Sequence, residues 1–164
     1  MAGYEIVIPS KLDAVRLFDW CIDFRDDDAE TLERGQDVDT SFMLQRKVTR
    51  DGPRIKVEML MRTGEGKTPV TVDIIAHRAT TCYLADIRFS DVYRQICRYD
   101  FEPDGSGSRV RIVAEVEGNP AKGDVLSEKG GAFVDELRDG MRKMMTGFMR
   151  QAEKELLPDG ATRS

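Results

Sequence analysis

Few side chains in this sequence could carry out chemistry, and the first to consider are its one histidine and three cysteines. His77 lies in "VTVDIIAHR" on the side opposite the valines, so we expect it to face solvent. A Ser–His or Cys–His nucleophile pair would need this histidine to point inward. Cys21, Cys82 and Cys97 are widely separated, which predicts reduced thiols and no zinc site. The sequence therefore predicts no catalytic residue, no metal site and no cofactor.

A tyrosine-rich hairpin, "YLADIRFSDVYRQICRYDF" at 83–101, offers hydrogen-bonding groups of another kind. A three-residue turn would place four polar side chains on one otherwise apolar face: Tyr83, Tyr93, Gln95 and Tyr99. A two-residue turn would bring Arg94 and Arg98 to that face instead. Both registers are open to the sequence, and we prefer the first because it leaves the arginines in solvent. A few polar groups on an apolar wall are what a small-molecule site requires.

Methionine is concentrated in the segment "DELRDGMRKMMTGFMRQAEKELL" at 135–157, whose apolar residues recur at helical spacing. Its apolar stripe includes Met141, Met144, Met145 and Phe148. Gly140 and Gly147 lie inside the same segment, although a glycine in a helix costs about 1 kcal/mol relative to alanine. Methionine is flexible and polarizable, so the stripe is compatible either with an ordinary core or with the wall of a cavity.

The elements that must position these residues follow from the periodicity. A short strand at "GYEIVI" precedes an amphipathic helix, for which we take Ser10 as the N-cap with Asp13 three residues on. A second short helix is predicted at 28–34. Six runs of strand length then alternate apolar and polar residues, with Met59 and Met61 on the apolar face of "RIKVEMLMR". One wet and one dry face indicate an antiparallel sheet, and the long helix at the end completes the order.

Composition limits the class of protein. At 164 residues, with 40% hydrophobic and 34% charged residues, the chain suits one globular domain, predicted at 1–158 with a flexible tail at 159–164. The formal charge of -5 argues against nucleic acid as a partner. The sequence contains no signal peptide and no run long enough to span a bilayer, so we expect a cytoplasmic protein without stable membrane insertion. A homodimer is left open.

The element order resembles the helix-grip fold of the START-like superfamily, which includes polyketide cyclases, plant pathogenesis-related allergens and lipid-transfer domains. The most specific local piece is "EIVIPSKLDAV", in which Ile8, Pro9 and Val15 match a common opening of the family. The segment "YDFEPDGSGSRVRIVAEVEG" is similar to its last hairpin. The resemblance implies an α+β fold with about seven strands curved around the C-terminal helix. It also implies an apolar cavity between sheet and helix.

Three functions are compatible with that resemblance. The first is binding, transport or sequestration of a hydrophobic or aromatic small molecule or lipid in the cavity. The second is an enzyme of the polyketide cyclase, aromatase or dehydratase kind, acting through substrate orientation. The third is a module that binds a protein partner, as in co-chaperones. For the first function we predict these ligand-binding residues: Met59, Met61, Tyr83, Tyr93, Gln95, Tyr99, Met141, Met144, Met145 and Phe148.

Overall fold

The computed structural model describes residues 2–23, 43–63, 66–126 and 130–157 of the 164-residue chain. The strands and helices in these ranges are β1 (Ala2–Ser10), α1 (Ala14–Ile22), β2 (Met43–Asp51), β3 (Arg54–Thr63), β4 (Gly66–His77), β5 (Cys82–Phe89), β6 (Tyr93–Asp104), β7 (Gly107–Gly118) and α2 (Gly131–Leu156). Short 3₁₀ turns follow β4 at Arg78–Thr80 and β7 at Pro120–Lys122. The helix predicted at 28–34 and the tail predicted at 159–164 lie outside the described residues.

The strands form one antiparallel sheet in the order β1-β7-β6-β5-β4-β3-β2. Strand β7 shows why these residues form such a sheet. Its residues Val110, Ile112, Ala114 and Val116 are buried, while the residues between them are exposed or partly exposed. Alternation of this kind buries one face of a sheet and leaves the other in water. The predicted helix-grip architecture, a seven-stranded antiparallel sheet with a long C-terminal helix, is confirmed.

The hairpin of β5 and β6 has the three-residue turn that we preferred. Phe89 pairs with Tyr93 across the loop at 90–92, and Tyr83 pairs with Tyr99 at the far end. Arg94 and Arg98 therefore lie on the outer face, where Arg98 donates to Asp100 at 2.8 Å. A two-residue turn would have taken both guanidinium groups into the apolar interior.

His77 is exposed at the end of β4, as its position opposite the valines predicted. On the inner face of the same strand, Val70 and Ile74 are each only 2% exposed. The histidine is therefore directed away from the interior.

The N-cap of α1 differs from our prediction. Asp13, not Ser10, caps the helix: its Oδ1 accepts a hydrogen bond of 2.9 Å from the backbone nitrogen of Arg16. The Ser10 hydroxyl instead accepts from the backbone nitrogen of Leu12 at 3.2 Å, at the end of β1. Both residue types cap helices well, so the sequence pattern alone placed the start three residues too early.

Helix α2 lies against β1, at one edge of the sheet, and against α1. Its most closely packed residues are Met145, Met149 and Ala152, which are 3%, 2% and 0% exposed. Hydrogen bonds also tie its C-terminal turn to the N-terminal segment, because the backbone nitrogen of Lys11 donates to Glu153 at 3.2 Å and Trp20 donates to Glu155. In the described part of the chain, neither helix is both long and apolar enough to cross a membrane.

We expect Asp13→Ala to lower the free energy of unfolding by about 1 kcal/mol, because α1 loses the acceptor for its first-turn N–H groups. Urea denaturation followed by circular dichroism measures the change. Asp13→Asn is the matched control, since asparagine also caps helices, and it should remain close to wild type. Equal losses in the two variants would contradict the assignment of the cap.

Candidate functional site

A cavity of about 820 Å³ lies between the inner face of the sheet and α2. Residues of α1, of the five strands from β2 to β6 and of α2 line it. The helix packs on the β1 edge of the sheet, so the inner faces of β3, β4 and β5 are not covered by it directly. Small-molecule sites in proteins have volumes of roughly 300–1,000 Å³, and this space falls in that range.

The walls of the cavity are largely apolar. The sheet contributes a floor of aliphatic side chains: Val57, Val70, Val72, Ile74, Ala85 and Ile87. All ten residues that we predicted as ligand-binding also line it: Met59, Met61, Tyr83, Tyr93, Gln95, Tyr99, Met141, Met144, Met145 and Phe148. The structure thus brings the predicted residues together around one space, and their role in binding stays a prediction.

The helix presents two adjacent apolar stripes. One, with Met149 and Ala152, is fully packed in the core, whereas Met144 and Phe148 face the cavity and remain partly exposed. Met141 and Met145 lie between the two stripes, being both buried and part of the cavity wall. Methionine suits such a wall because its unbranched side chain can adjust to an irregular neighbour.

Gly140 also lines the cavity, and a Cβ built on it would meet no atom within 4 Å. The glycine at this position therefore adds open space to the cavity and does not allow a strand to approach closely.

Two stacked aromatic pairs stand at opposite ends of the β5–β6 wall. The rings of Tyr83 and Tyr99 are stacked with centroids 4.2 Å apart, and those of Phe89 and Tyr93 with centroids 4.4 Å apart. Phe133 of α2 meets Tyr93 edge-on at 5.0 Å. Rings held in this way present flat faces and edges to the cavity, which suits an aromatic or polycyclic guest.

The polar groups on this wall are buried and few. The hydroxyl of Tyr4, in β1, donates a hydrogen bond of 2.5 Å to Oε1 of Gln95, which is 4% exposed. The Tyr99 hydroxyl donates to the sulfur of Met141 at 3.7 Å, a weak bond. Among the described residues, no group accepts a hydrogen bond from the hydroxyl of Tyr83 or Tyr93. Tyr83 and Tyr93 both line the cavity.

Burial keeps these phenols protonated. It raises the pKa of Tyr93 to about 12 and holds the pKa values of Tyr83 and Tyr99 well above the ordinary 10.0. The same cause raises the pKa of the Cys97 thiol to about 12, although a hydrogen bond with Tyr99 opposes it. An apolar environment disfavours the charged form of an acid, so the wall is uncharged near neutral pH.

Charged side chains also line the cavity, and sequence reasoning missed them. Asp19 and Arg16 of α1, Glu136 and Glu155 of α2, and Arg46 of β2 all contribute to its lining. The inward position of Arg46 could have been read from its place between Leu44 and Val48, two apolar neighbours at strand spacing. We also missed Tyr4, which shares the inner face of β1 with Ile6 and Ile8.

We expect ionisation of the phenols to be delayed in the folded protein. All four tyrosines have raised pKa values in the fold, whereas in the unfolded chain each should titrate near 10.0. Ionisation above that pH therefore favours the unfolded state, and the stability contributed by the protonated phenols is complete below pH 10 and lost as the pH rises towards the folded values. Ultraviolet absorbance of phenolate, with and without denaturant, measures this shift.

Tyr93→Phe should remove the earliest of these steps, because Tyr93 has the pKa of about 12. Native protein that ionises most of its tyrosines near pH 10 would show that the phenols are solvated and not buried.

We expect Gly140→Ala to raise the free energy of unfolding by roughly 0.5–1 kcal/mol, because alanine favours the helix and the new methyl group meets open space. Chemical denaturation measures the difference. Gly3→Ala is the contrasting variant, since a Cβ there would lie 2.5 Å from the carbonyl oxygen of Ala114 and should destabilise β1. Destabilisation by Gly140→Ala would mean that the space beside this residue is filled.

The sequence matches no protein-family model and no curated protein. Solved structures do match. A START superfamily protein from Mycobacterium smegmatis superposes with a TM-score of 0.68 at 10% identity, over 93% of this chain and 97% of that chain. An aromatase/cyclase from Streptomyces sp. R1128 superposes with a TM-score of 0.65 at 9% identity, over 97% of this chain and 98% of that one.

A third match is norcoclaurine synthase from Thalictrum flavum, with a TM-score of 0.63 at 9% identity, over 93% of this chain and 87% of that chain. At identities this low the likeness is one of fold, and it agrees with the opening motif and element order of the sequence. This chain shares the helix-grip fold of these solved structures.

Proposed function

We propose that this protein binds a hydrophobic or aromatic small molecule in the cavity between the sheet and α2, and carries or sequesters it. The observation that supports the proposal is a largely apolar space of about 820 Å³ between the sheet and the helix. An empty apolar space of this size lowers the stability of the fold, because its lining atoms lose packing partners. A guest with apolar surface would restore those contacts.

The matched structures give the proposal a chemical direction. Norcoclaurine synthase is seen in complex with dopamine and hydroxybenzaldehyde, which are small aromatic molecules. The stacked pairs Tyr83–Tyr99 and Phe89–Tyr93 give this chain a wall suited to planar rings. We take an aromatic or polycyclic guest as the first class to test.

The chemistry of the wall favours binding over acid–base catalysis. A general base works best when its pKa lies near the operating pH. The phenol of Tyr93, with a pKa of about 12, and the still weaker acids Tyr83 and Tyr99 hold their protons under those conditions. They can orient a guest through hydrogen bonds but do not accept its protons, and of the lining carboxylates Asp19 is partly exposed and Glu136 exposed.

The outer face of the sheet offers less support for a protein-partner module. Its charged side chains largely pair with one another: Arg94 lies 3.2 Å from Asp86 and 3.5 Å from Glu117, and Arg109 and Arg111 both donate to Glu102. A partner would have to replace these pairs. A partner module would also be expected to have a filled interior, and this interior contains the cavity.

The test uses N-phenyl-1-naphthylamine, a neutral aromatic probe whose fluorescence rises in apolar surroundings. We expect saturable binding by the wild-type protein at one site. Met144→Trp should weaken it by about tenfold or more, because the indole occupies space on the cavity side of α2. Fluorescence titration gives the dissociation constants.

Lys143→Trp is the matched control. Lys143 directly precedes Met144 on the same helix, but it is exposed and does not line the cavity. It adds the same indole to the outside of α2 and should leave binding unchanged. Absence of saturable binding to the wild type, or equal effects of the two substitutions, would overturn the proposal.

A further inference from the structure

The polar groups of the cavity wall differ in the number of hydrogen bonds that they can donate and accept. Gln95 is the informative case. Tyr4 already donates to its carbonyl oxygen Oε1, at 2.5 Å. With one lone pair of Oε1 engaged, the main group that Gln95 offers a guest is its amide nitrogen, which carries two N–H donors and does not accept.

Two tyrosines on the same face also have a proton to donate, although a phenol oxygen can accept as well. Tyr83 and Tyr93 keep their protons at neutral pH, and within the described residues nothing accepts them. A guest hydroxyl could accept from either phenol, but its own proton would then need an acceptor, and Tyr4 already donates to Oε1 of Gln95, whereas a guest carbonyl has no proton to place. A buried donor without a partner is unfavourable, so these sites favour a guest that accepts.

These donors lie in a row on one face of β6 and its partner β5. Gln95 and Tyr93 are two residues apart on β6, which corresponds to about 7 Å along the strand. Tyr83 lies opposite Tyr99, four residues from Gln95 and so about 13 Å further along. The aliphatic floor contributed by β3 and β4 runs beside this row.

We infer that the cavity selects flat apolar ligands whose polar atoms accept hydrogen bonds, such as aromatic ketones and quinones, over ligands of the same shape that bear hydroxyl groups. This inference rests on the proposed function and adds the hydrogen-bonding character of the ligand. The carbonyl oxygen accepts from one of the donors of Tyr83, Tyr93 and Gln95, while the aliphatic floor and the methionines of α2 cover the rings.

Three probes with one ring skeleton test the inference: fluorene, 9-fluorenone and 9-hydroxyfluorene. Fluorene carries no polar atom, 9-fluorenone carries a single acceptor, and 9-hydroxyfluorene carries a hydroxyl that both donates and accepts. Isothermal titration calorimetry gives their affinities for the wild-type protein. We expect fluorenone to bind roughly 2- to 10-fold more tightly than fluorene, the gain of one hydrogen bond. 9-Hydroxyfluorene should bind less tightly than 9-fluorenone.

Single removal of the donors identifies their contribution. We expect at least one of Tyr83→Phe, Tyr93→Phe and Gln95→Leu to bring the fluorenone-to-fluorene ratio close to one while fluorene affinity stays within about twofold. Tyr4→Phe acts in the opposite direction. It frees Oε1 of Gln95 as an acceptor, so hydroxyfluorene should gain on fluorenone relative to wild type.

The outcomes separate the two proposals. If none of the three probes binds, the small-molecule function is wrong. If fluorene binds but fluorenone binds no more tightly, or hydroxyfluorene binds best, the preference for acceptors is wrong and the function stands. A fluorenone preference that persists in all three donor variants would place its origin elsewhere and also overturn the assignment.

Discussion

The packing of α2 against one edge of the sheet determines the rest of this structure. Met145, Met149 and Ala152 pack the helix into the core beside β1 and α1, and burial of side chains such as methionine contributes about 1.5–3 kcal/mol each. Bonds from the backbone of Lys11 to Glu153 and from Arg16 to the carbonyl of Leu156 fix its C-terminal end. A helix held so firmly at one edge does not also cover the strands further along the sheet.

The cavity follows from that placement, and so does the choice of residues around it. The side of α2 that faces β1 is packed as a core, while the side that faces β3 to β5 carries Met144, Phe148 and Gly140 next to open space. Side chains on that side need not interlock with a fixed neighbour. Flexible methionines and a glycine are tolerated there, and they leave room where branched residues would impose a shape.

Much of the fold could be predicted because its two periodicities are strong. Alternation in "RVRIVAEVE" predicts β7, and the register of the β5–β6 hairpin follows because only one turn length keeps Arg94 and Arg98 out of the interior. The ten cavity residues lie on faces defined by these patterns. The cavity itself was implied by the resemblance and not by periodicity, since the same apolar stripe is compatible with a filled core.

What the sequence did not reveal depends on long-range placement or on a choice between similar local signals. The bond from Tyr4 to Gln95 joins residues 91 positions apart and requires β1 to lie beside β7, which in turn pairs with β6. Arg46 occupies an inward position that its charge argues against, and the strand alternation with Leu44 and Val48 was the one signal for it. Ser10 and Asp13 are both good capping residues, and only the backbone geometry distinguishes them.

The claim that the space between sheet and helix admits a guest can be tested most directly by NMR of the methionine methyl groups. Among the described residues, five methionines line the cavity, namely Met59, Met61, Met141, Met144 and Met145. Met149 is buried on the packed side of the same helix and does not line it, so it serves as an internal reference. Titration with biphenyl should shift cavity methyl signals saturably and leave the Met149 signal nearly unchanged. No saturable shift, or an equal shift at Met149, would contradict the account.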